Sequence, residues 1–459
     1  MNRLSICEGC LEKQRTIDQL TDENRRLKEQ LRYRQRKAEE GPFGSATPSA
    51  KIPIKANTLE ENRSKKGGAK RGHVGHGRSA IDANSADRIE EIDVASTCPN
   101  CGTLLEDKGY EERSVTDSQP IRAEHILYRL KKRYCPTCRK VVQAQAPGVL
   151  PKALYGNQLI TQAVFWHFMH GIPIGRVCEQ LGIGLGSVMD IFHRMATMFR
   201  PVLPKLIEEY REAEVRHADE TSWRTDGRSG YARLFATETL SIFLFRSTRS
   251  ASVPREVLGT QPLPGVLVVD RYNGYNRAPC ELQYCYSHLL REVEDLAKEA
   301  PDQQEITAFT ATMIPLLAHA MHLHSQPISD DSYYEQAGQV EQQIKKAIQS
   351  PAQHLGIRRI QDIFSDNAHR LYHWVTNRKV PADNNRAERE LRPTVIARKV
   401  SFGSQSDAGA KTREILMTLL HTLKKRFENP LGHFKSVLDE LAANPTLDAL
   451  SLLFPNNTS

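Results

Sequence analysis

An α/β fold interrupted by a helical insertion, and preceded by a short coiled coil, a four-cysteine segment and a helix-turn-helix-like stretch, is predicted by three features of the 459-residue chain. After residue 212 the pattern turns to strands, and one of them, Val266 to Val269, is apolar on both faces, as a strand in the middle of a sheet must be. Beyond it, apolar residues such as Ile306, Phe309, Met313, Leu316 and Ala320 recur at three- and four-residue steps, the period of a helix. Upstream, cysteines in Cys-x2-Cys pairs are separated by a glycine- and lysine-rich stretch from a narrow heptad seam.

Composition sets the outer limits. The length exceeds one ordinary core, and 39% hydrophobic residues suffice to build several. No run of about 18 apolar residues is present, and the first residues, "MNRLSICEGC", lack the order of a secretory signal, so a cytoplasmic, nucleoid-associated protein without a membrane segment is expected. A net charge of +8 favours a polyanionic partner.

Residues 1–40 carry Ile17, Leu20, Asn24, Leu27 and Leu31 at heptad steps, with the Asn at a central a position. Such a seam fits a short parallel coiled coil in a homodimer or larger assembly; two heptads also fit a solvated single helix. Cys7 and Cys10 have no second pair close in sequence, and no metal is assigned to them.

Residues 41–88 read as a basic flexible linker. Its stretch "RSKKGGAKRGHVGHGRS" carries Lys65, Lys66, Lys70, Arg71 and Arg78 without one acid, a composition that binds DNA phosphates without a fixed fold. His73 and His76 are flanked by glycines, and no metal is expected there.

Residues 89–150 contain "CPNCG" and "YCPTCRK". Two such knuckles on paired strands converge Cys98, Cys101, Cys135 and Cys138 on one structural Zn2+, the arrangement of a zinc ribbon. The alternating residues 124–134 predict a strand between them, and Lys131, Lys132, Arg133, Arg139 and Lys140 suit a nucleic-acid module.

Residues 151–211 predict helix, glycine turn, helix. Ser187, His193 and Arg194 are the side chains that could read DNA and Asp190 would repel it, so a helical core element is the alternative to a reading helix.

Residues 212–428 hold the candidate chemistry, with a helical insertion at about 296–375. Asp270 ends the apolar strand, where active sites of α/β sheets gather, although it could also start an Asx turn. Asp219 ends an earlier strand, with His217 on its face and Glu220 on the opposite one. Further on, "DNNRAERELRP" places Glu388 among arginines. Asn385 could cap this helix with Glu388 reaching back and pairing with Arg392. Two acids from strands and a third from a helix are what a two-ion phosphoryl-transfer site requires. The surrounding guanidinium groups are expected to keep Glu388 ionised, and Arg389, Arg392, Arg398 and Lys399 to grip DNA. Cys178, Cys280 and Cys285 default to small buried hydrophobes, and no metal is assigned to His319, His322 and His324. Residues 429–459 form a helical tail packed on the preceding domain.

In order along residues 60–430, the four-cysteine knuckles, "HADET", "VVDRYNGYN", "CYSH" at 285–288, "DNNRAERELRP" and "ARKVSFGS" resemble the transposases of the insertion-sequence sixty-six family. The resemblance implies an RNase H-like catalytic domain in which Asp219, Asp270 and Glu388 form a DDE triad using Mg2+ or Mn2+, with His288 as an accessory residue near the scissile phosphate. It also implies terminal inverted repeats and target DNA as partners, and two small accessory proteins of the same element. Tyr286 and Ser287 stand where the family commonly has Trp-Ala, and "LLREVEDL" where Arg-Lys-Phe follows the His. The expected reaction is metal-dependent strand cleavage followed by strand transfer. A non-catalytic zinc-containing DNA-binding regulator and a nuclease without strand transfer are the alternatives.

Overall fold

The computed structural model describes residues 123–455 apart from Cys138, helical residues scattered from Glu12 to Leu31, and four isolated positions between. By packing, residues 1–52 and 123–459 form one unit and residues 53–122 another. Cys7, Cys10, Cys98, Cys101 and Cys138, the linker cations Lys65, Lys66, Lys70, Arg71 and Arg78, and His73 and His76 lie outside the described residues; of Cys135 only the backbone is described. In the N-terminal helix the seam residues Ile17, Leu20, Leu27 and Leu31 are all exposed.

The first hairpin joins β1 (Lys132–Cys135) to β2 (Lys140–Gln143), antiparallel with Cys135 opposite Lys140, with Pro136, Thr137 and Arg139 in its turn. The strand predicted over 124–134 is therefore confined to its last three residues. His125 to Arg129 are exposed and lie in no strand, so the alternation there meets no sheet among the described residues.

Four helices follow: α1 (Asn157–Val164, continued by a π turn to Met169), α2 (Ile174–Leu181), α3 (Leu185–Phe199) and α4 (Val202–Glu212). The α2–turn–α3 pair has helix-turn-helix form, yet α3 is a core element. It buries Val188, Ile191, Phe192, Met195, Ala196 and Phe199, His193 is bonded to Thr412 at 2.7 Å, and Arg194 lies 3.9 Å from Asp190.

The central sheet is built from β3 (Val215–Thr225), β4 (Arg228–Ala236) and β5 (Ser241–Arg246), then, after α5 (Ser252–Leu258), β6 (Val266–Val269) and β7 (Glu281–Tyr284). Its order is β5-β4-β3-β6-β7, with β3, β4 and β5 antiparallel and β6 and β7 parallel to β3. The fully apolar β6 is interior, as its pattern requires. Gly265, at φ +69°, sets its start: a Cβ there would collide with the carbonyl of Glu214, whose oxygen accepts from Val266 N at 2.9 Å and fixes the β3–β6 register.

The insertion comprises α6 (Tyr286–Glu299), α7 (Gln304–Leu323), α8 (Asp330–Gln349), α9 (Leu355–Asp366) and α10 (His373–Thr376). By length and composition α7 could cross a membrane, but Ile306, Thr310, Met313, Leu317, Ala320 and Leu323 form a stripe buried within the protein. His319 and His322 are exposed, and His324 is bonded to the carbonyl of Arg378. The chain closes with α11 (Asn385–Ser401), α12 (Asp407–Arg426), α13 (Pro430–Ala443) and α14 (Ala449–Leu453).

Alternation along the strands divides two cores. Trp223, Leu234, Phe243 and Phe245 join α1–α3 and α11–α14, including the C-terminal tail; Ala218, Phe235, Ile242, Leu244, Leu267 and Val269 join α5 and the insertion. Helix α12 also protects the sheet edge. Its Thr422, Thr418 and Glu414 accept from the N–H groups of Ser241, Phe243 and Phe245 at 3.2, 2.9 and 3.4 Å. Four helical residues rise about 6 Å and two strand residues about 6.6 Å, so one helix face can satisfy every outward N–H of β5.

Candidate active site

Asp219 lies within β3 rather than at its end, because pairing with β4 continues the strand to Thr225, and Asp270 immediately follows β6. The parallel register pairs His217 with Val268; carried on two residues, it sets Asp219 beside Asp270, on strands about 4.8 Å apart. Both share the face that bears Trp223 and Val268, whereas Glu220 points to the other, where it pairs with Arg249 at 2.6 Å and Arg233 at 3.7 Å. Helix α11 covers the first face and delivers Glu388 from its first turn. Asp270 does accept from Tyr272 N at 3.0 Å, so one of its oxygens closes an Asx turn. That turn holds the carboxylate in place; the two readings of Asp270 are compatible.

The helix start differs from the capping-box expectation. Asn385 is the first helical residue and bonds Asp383, while Asn384 precedes the helix and makes no side-chain cap. Instead, buried Asn384 ties three elements together. Its Nδ2 donates to Ala218 O at 2.8 Å, its Oδ1 meets His217 Nδ1 at 3.0 Å, and its N–H donates to Cys285 Sγ at 3.1 Å. One residue thus holds the strand before Asp219, the helix bearing Glu388 and the start of α6, which carries His288. Cys285 is buried as expected, but its sulfur is a structural acceptor as well as a hydrophobe.

Glu388 does not pair with Arg392; its ion partner is Arg291 at 3.9 Å. Cys285, His288 and Glu388 present ligand atoms within 4.8 Å of one another, and the aspartates lie outside that knot. Burial and the neighbouring Glu388 and Asp383 push the Cys285 thiol up to about 12, so it stays a neutral thiol, a poor ligand for a hard cation.

The carboxylates act on one another electrically. Burial, then Asp270 and Glu388, raises Asp219 well above the carboxylate range. Burial and the Glu220 charge raise Asp270 to about 6. Glu388 is also raised, because burial outweighs the opposing pull of Arg291 and Arg392. Its Oε1 is buried with no hydrogen-bond partner among the described residues. An orphaned carboxylate oxygen and three raised acids, each still partly open to solvent, fit a divalent cation bound on oxygen ligands.

This arrangement fixes a pH dependence. A carboxylate whose folded-state pKa lies above its unfolded one takes up protons on folding, so the contribution of Asp270 to the stability of the metal-free protein is lost as pH rises from 3.8 through about 6. Mg2+ or Mn2+ is expected to raise the melting temperature more at pH 8 than at pH 5. Equal shifts at both would place the cation elsewhere.

Of the predicted DNA contacts on α11, Arg389, Arg392 and Lys399 are exposed. Arg398 is half-buried and donates to Thr221 Oγ1 at 3.0 Å and Ser222 O at 2.8 Å, which anchors α11 to β3. Asn384, Cys285 and Arg291 are the site residues that sequence reasoning missed. The places of Asn384 in "DNNRAERELRP" and of Cys285 in "CYSH" were the signals, and nothing in a periodicity reports a buried amide bridging distant elements.

A model described as "Transposase IS66 family" matches residues 152–412, and one described as "zinc-finger binding domain of transposase IS66" matches residues 95–139, which include all four ribbon cysteines. The chain is similar to the uncharacterized proteins y4hP and y4qI of Sinorhizobium fredii (strain NBRC 101917 / NGR234). Identities are 21% over 431 residues and 22% over 420, covering 79% and 81% of this chain and 73% and 76% of those proteins.

Proposed function

The chain belongs to the IS66 family of transposases, whose model spans more than half of it, and from that premise we propose that it cuts the terminal inverted repeats of its element and joins the ends to target DNA. The observation that carries this reading is the convergence of Asp219, Asp270 and Glu388 on one face of the sheet, each raised by burial and by its acidic neighbours. The strand order supports an RNase H-like catalytic domain, with the insertion between β7 and α11.

In the proposed site Asp219, Asp270 and Glu388 would hold the pair of divalent cations. When bound, the pair supplies Lewis acidity at the attacking and departing oxygens. His288, beside Glu388 in the first turn of α6, donates to the scissile phosphate. Arg389, Arg392 and Lys399 seat the phosphate backbone along α11, and the basic residues of 65–78 add affinity independent of sequence. The exposed seam from Ile17 to Leu31 pairs two copies on DNA, and two small accessory proteins of the element complete the assembly. Such a protein acts in the cytoplasm, on the nucleoid.

A strand-transfer assay with labelled repeat ends tests the reading. Joined products are expected; cut but unjoined ends would make the protein a nuclease, and shifted but intact DNA a regulator.

Cys98, Cys101, Cys135 and Cys138 hold one structural Zn2+ in this reading. Cys135→Ser is expected to lower bound zinc from one per chain to none and to weaken repeat-end binding at least tenfold. Stoichiometric zinc in the variant would remove the ribbon assignment.

A further inference from the structure

The C-terminal end of α11 presents a side chain that the metal site does not use. Phe402 is 76% exposed, and its backbone is left-handed, at φ 60° and ψ −11°. That conformation is a genuine outlier for a bulky residue and persists only where the surroundings impose it.

Here they do so from both sides. Before Phe402, Arg398 pins α11 to Thr221 and Ser222. After it, Gly403 lies at φ +143°, where a Cβ would collide with the carbonyl oxygen of Arg224. Ser404 then bridges to Thr225: its N–H donates to Arg224 O at 2.8 Å, its carbonyl accepts from Asp226 N at 2.9 Å, and its Oγ accepts from Trp223 Nε1 at 3.2 Å. The sheet therefore holds an apolar ring out into water on a rigid mount.

The surroundings select the occupant. Arg392 and Lys399 on α11, and Arg224 and Arg228 on the β3–β4 hairpin, are exposed, against the exposed acids Asp226 and Asp407. Ile396 and Val400 extend the apolar stripe between the α11 cations. Cations flanking a rigid apolar ring are the composition that grips phosphates while a wedge enters the base stack.

We propose that Phe402 is a wedge inserted between base pairs of the bound repeat end. This rests on the transposase reading above. Fourteen rises of 1.5 Å take the chain from Glu388 to Phe402, roughly 21 Å, which, with α11 laid along the duplex, places the unstacked step roughly six base pairs from the scissile bond.

The test uses the full chain and repeat-end duplexes carrying a single 2-aminopurine, moved position by position away from the cut. A several-fold fluorescence rise is expected at one step near the sixth pair, lost in Phe402→Gly, which also relieves the backbone strain, and kept in Phe402→Trp. Arg392→Ala is expected to reduce the salt slope of binding by about one. Binding and cutting with no rise at any position would overturn the wedge while leaving the transposase reading intact. A rise that survives Phe402→Gly would overturn it too, as would a loss of self-association in Phe402→Gly with the rise intact, which would assign the ring to a second copy. Absence of any repeat-end binding would remove both.

Discussion

Replacing Asp219 or Asp270 by Asn, or Glu388 by Gln, is expected to lower metal-dependent cleavage about 1000-fold or more and, in the metal-free protein, to raise stability. The first effect follows from losing a charged oxygen ligand: Lewis-acid stabilisation worth several kcal/mol disappears, and about 4 kcal/mol is a factor of about 1000. The second follows from the electrostatics of the empty cluster. Asp270 is raised from 3.8 to about 6, so its ionised form is disfavoured in the fold at neutral pH, and Asn removes that charge while keeping the acceptor of the Tyr272 turn. The gain is roughly 1–3 kcal/mol, reduced by whatever relaxation the neighbours allow. Cleavage rates and melting curves of the same preparations check both. Variants that cut normally in Mg2+ would sink the triad, and variants that lose activity together with stability would show ordinary structural acids.

Asn384→Ala is the second large effect. Truncation strands the carbonyl of Ala218 and Nδ1 of His217, both buried, at a cost of about 2–4 kcal/mol. It also releases the link between β3 and α11, and a misplacement of about 1 Å at the reacting atoms is worth about 100-fold in rate. Asn384 touches no substrate in this scheme, so its test needs more than a stability readout: the Mn2+ concentration for half-maximal cleavage should rise in Asn384→Ala at temperatures where the variant is fully folded. An unchanged metal requirement at unchanged rate would reduce Asn384 to a packing residue. His217 is held neutral by burial, its pKa lowered to about 3, so no ionisable rescue across neutral pH is expected from that side of the node.

Much of the sheet was legible from local pattern. A strand apolar on both faces has to be interior, and β6 is; strict alternation puts His217 with Asp219 and Glu220 opposite, and the strand does so because successive side chains must alternate. Alternation failed at 124–131, where a pattern of the right period has no partner strand among the described residues, since a strand exists by hydrogen bonding to another and not by its own sequence. The helix-turn-helix form was visible too, but α3 directs His193 to Thr412 within the core. The same helical period serves a reader or a core element, and only packing distinguishes them.

The interior strand, the helical stretches after it, three candidate acids and the family could be read from the chain alone, because periods of two and 3.6 and short motifs are local properties. Tertiary structure decided what those acids experience. It brought Glu388 to Arg291 and His288, raised the carboxylates together by burial, hung the site on the buried amide of Asn384 and lifted Phe402 into solvent. Desolvation and mutual charge depend on distances between residues far apart in the chain, and those distances exist only after the sheet has closed against α11.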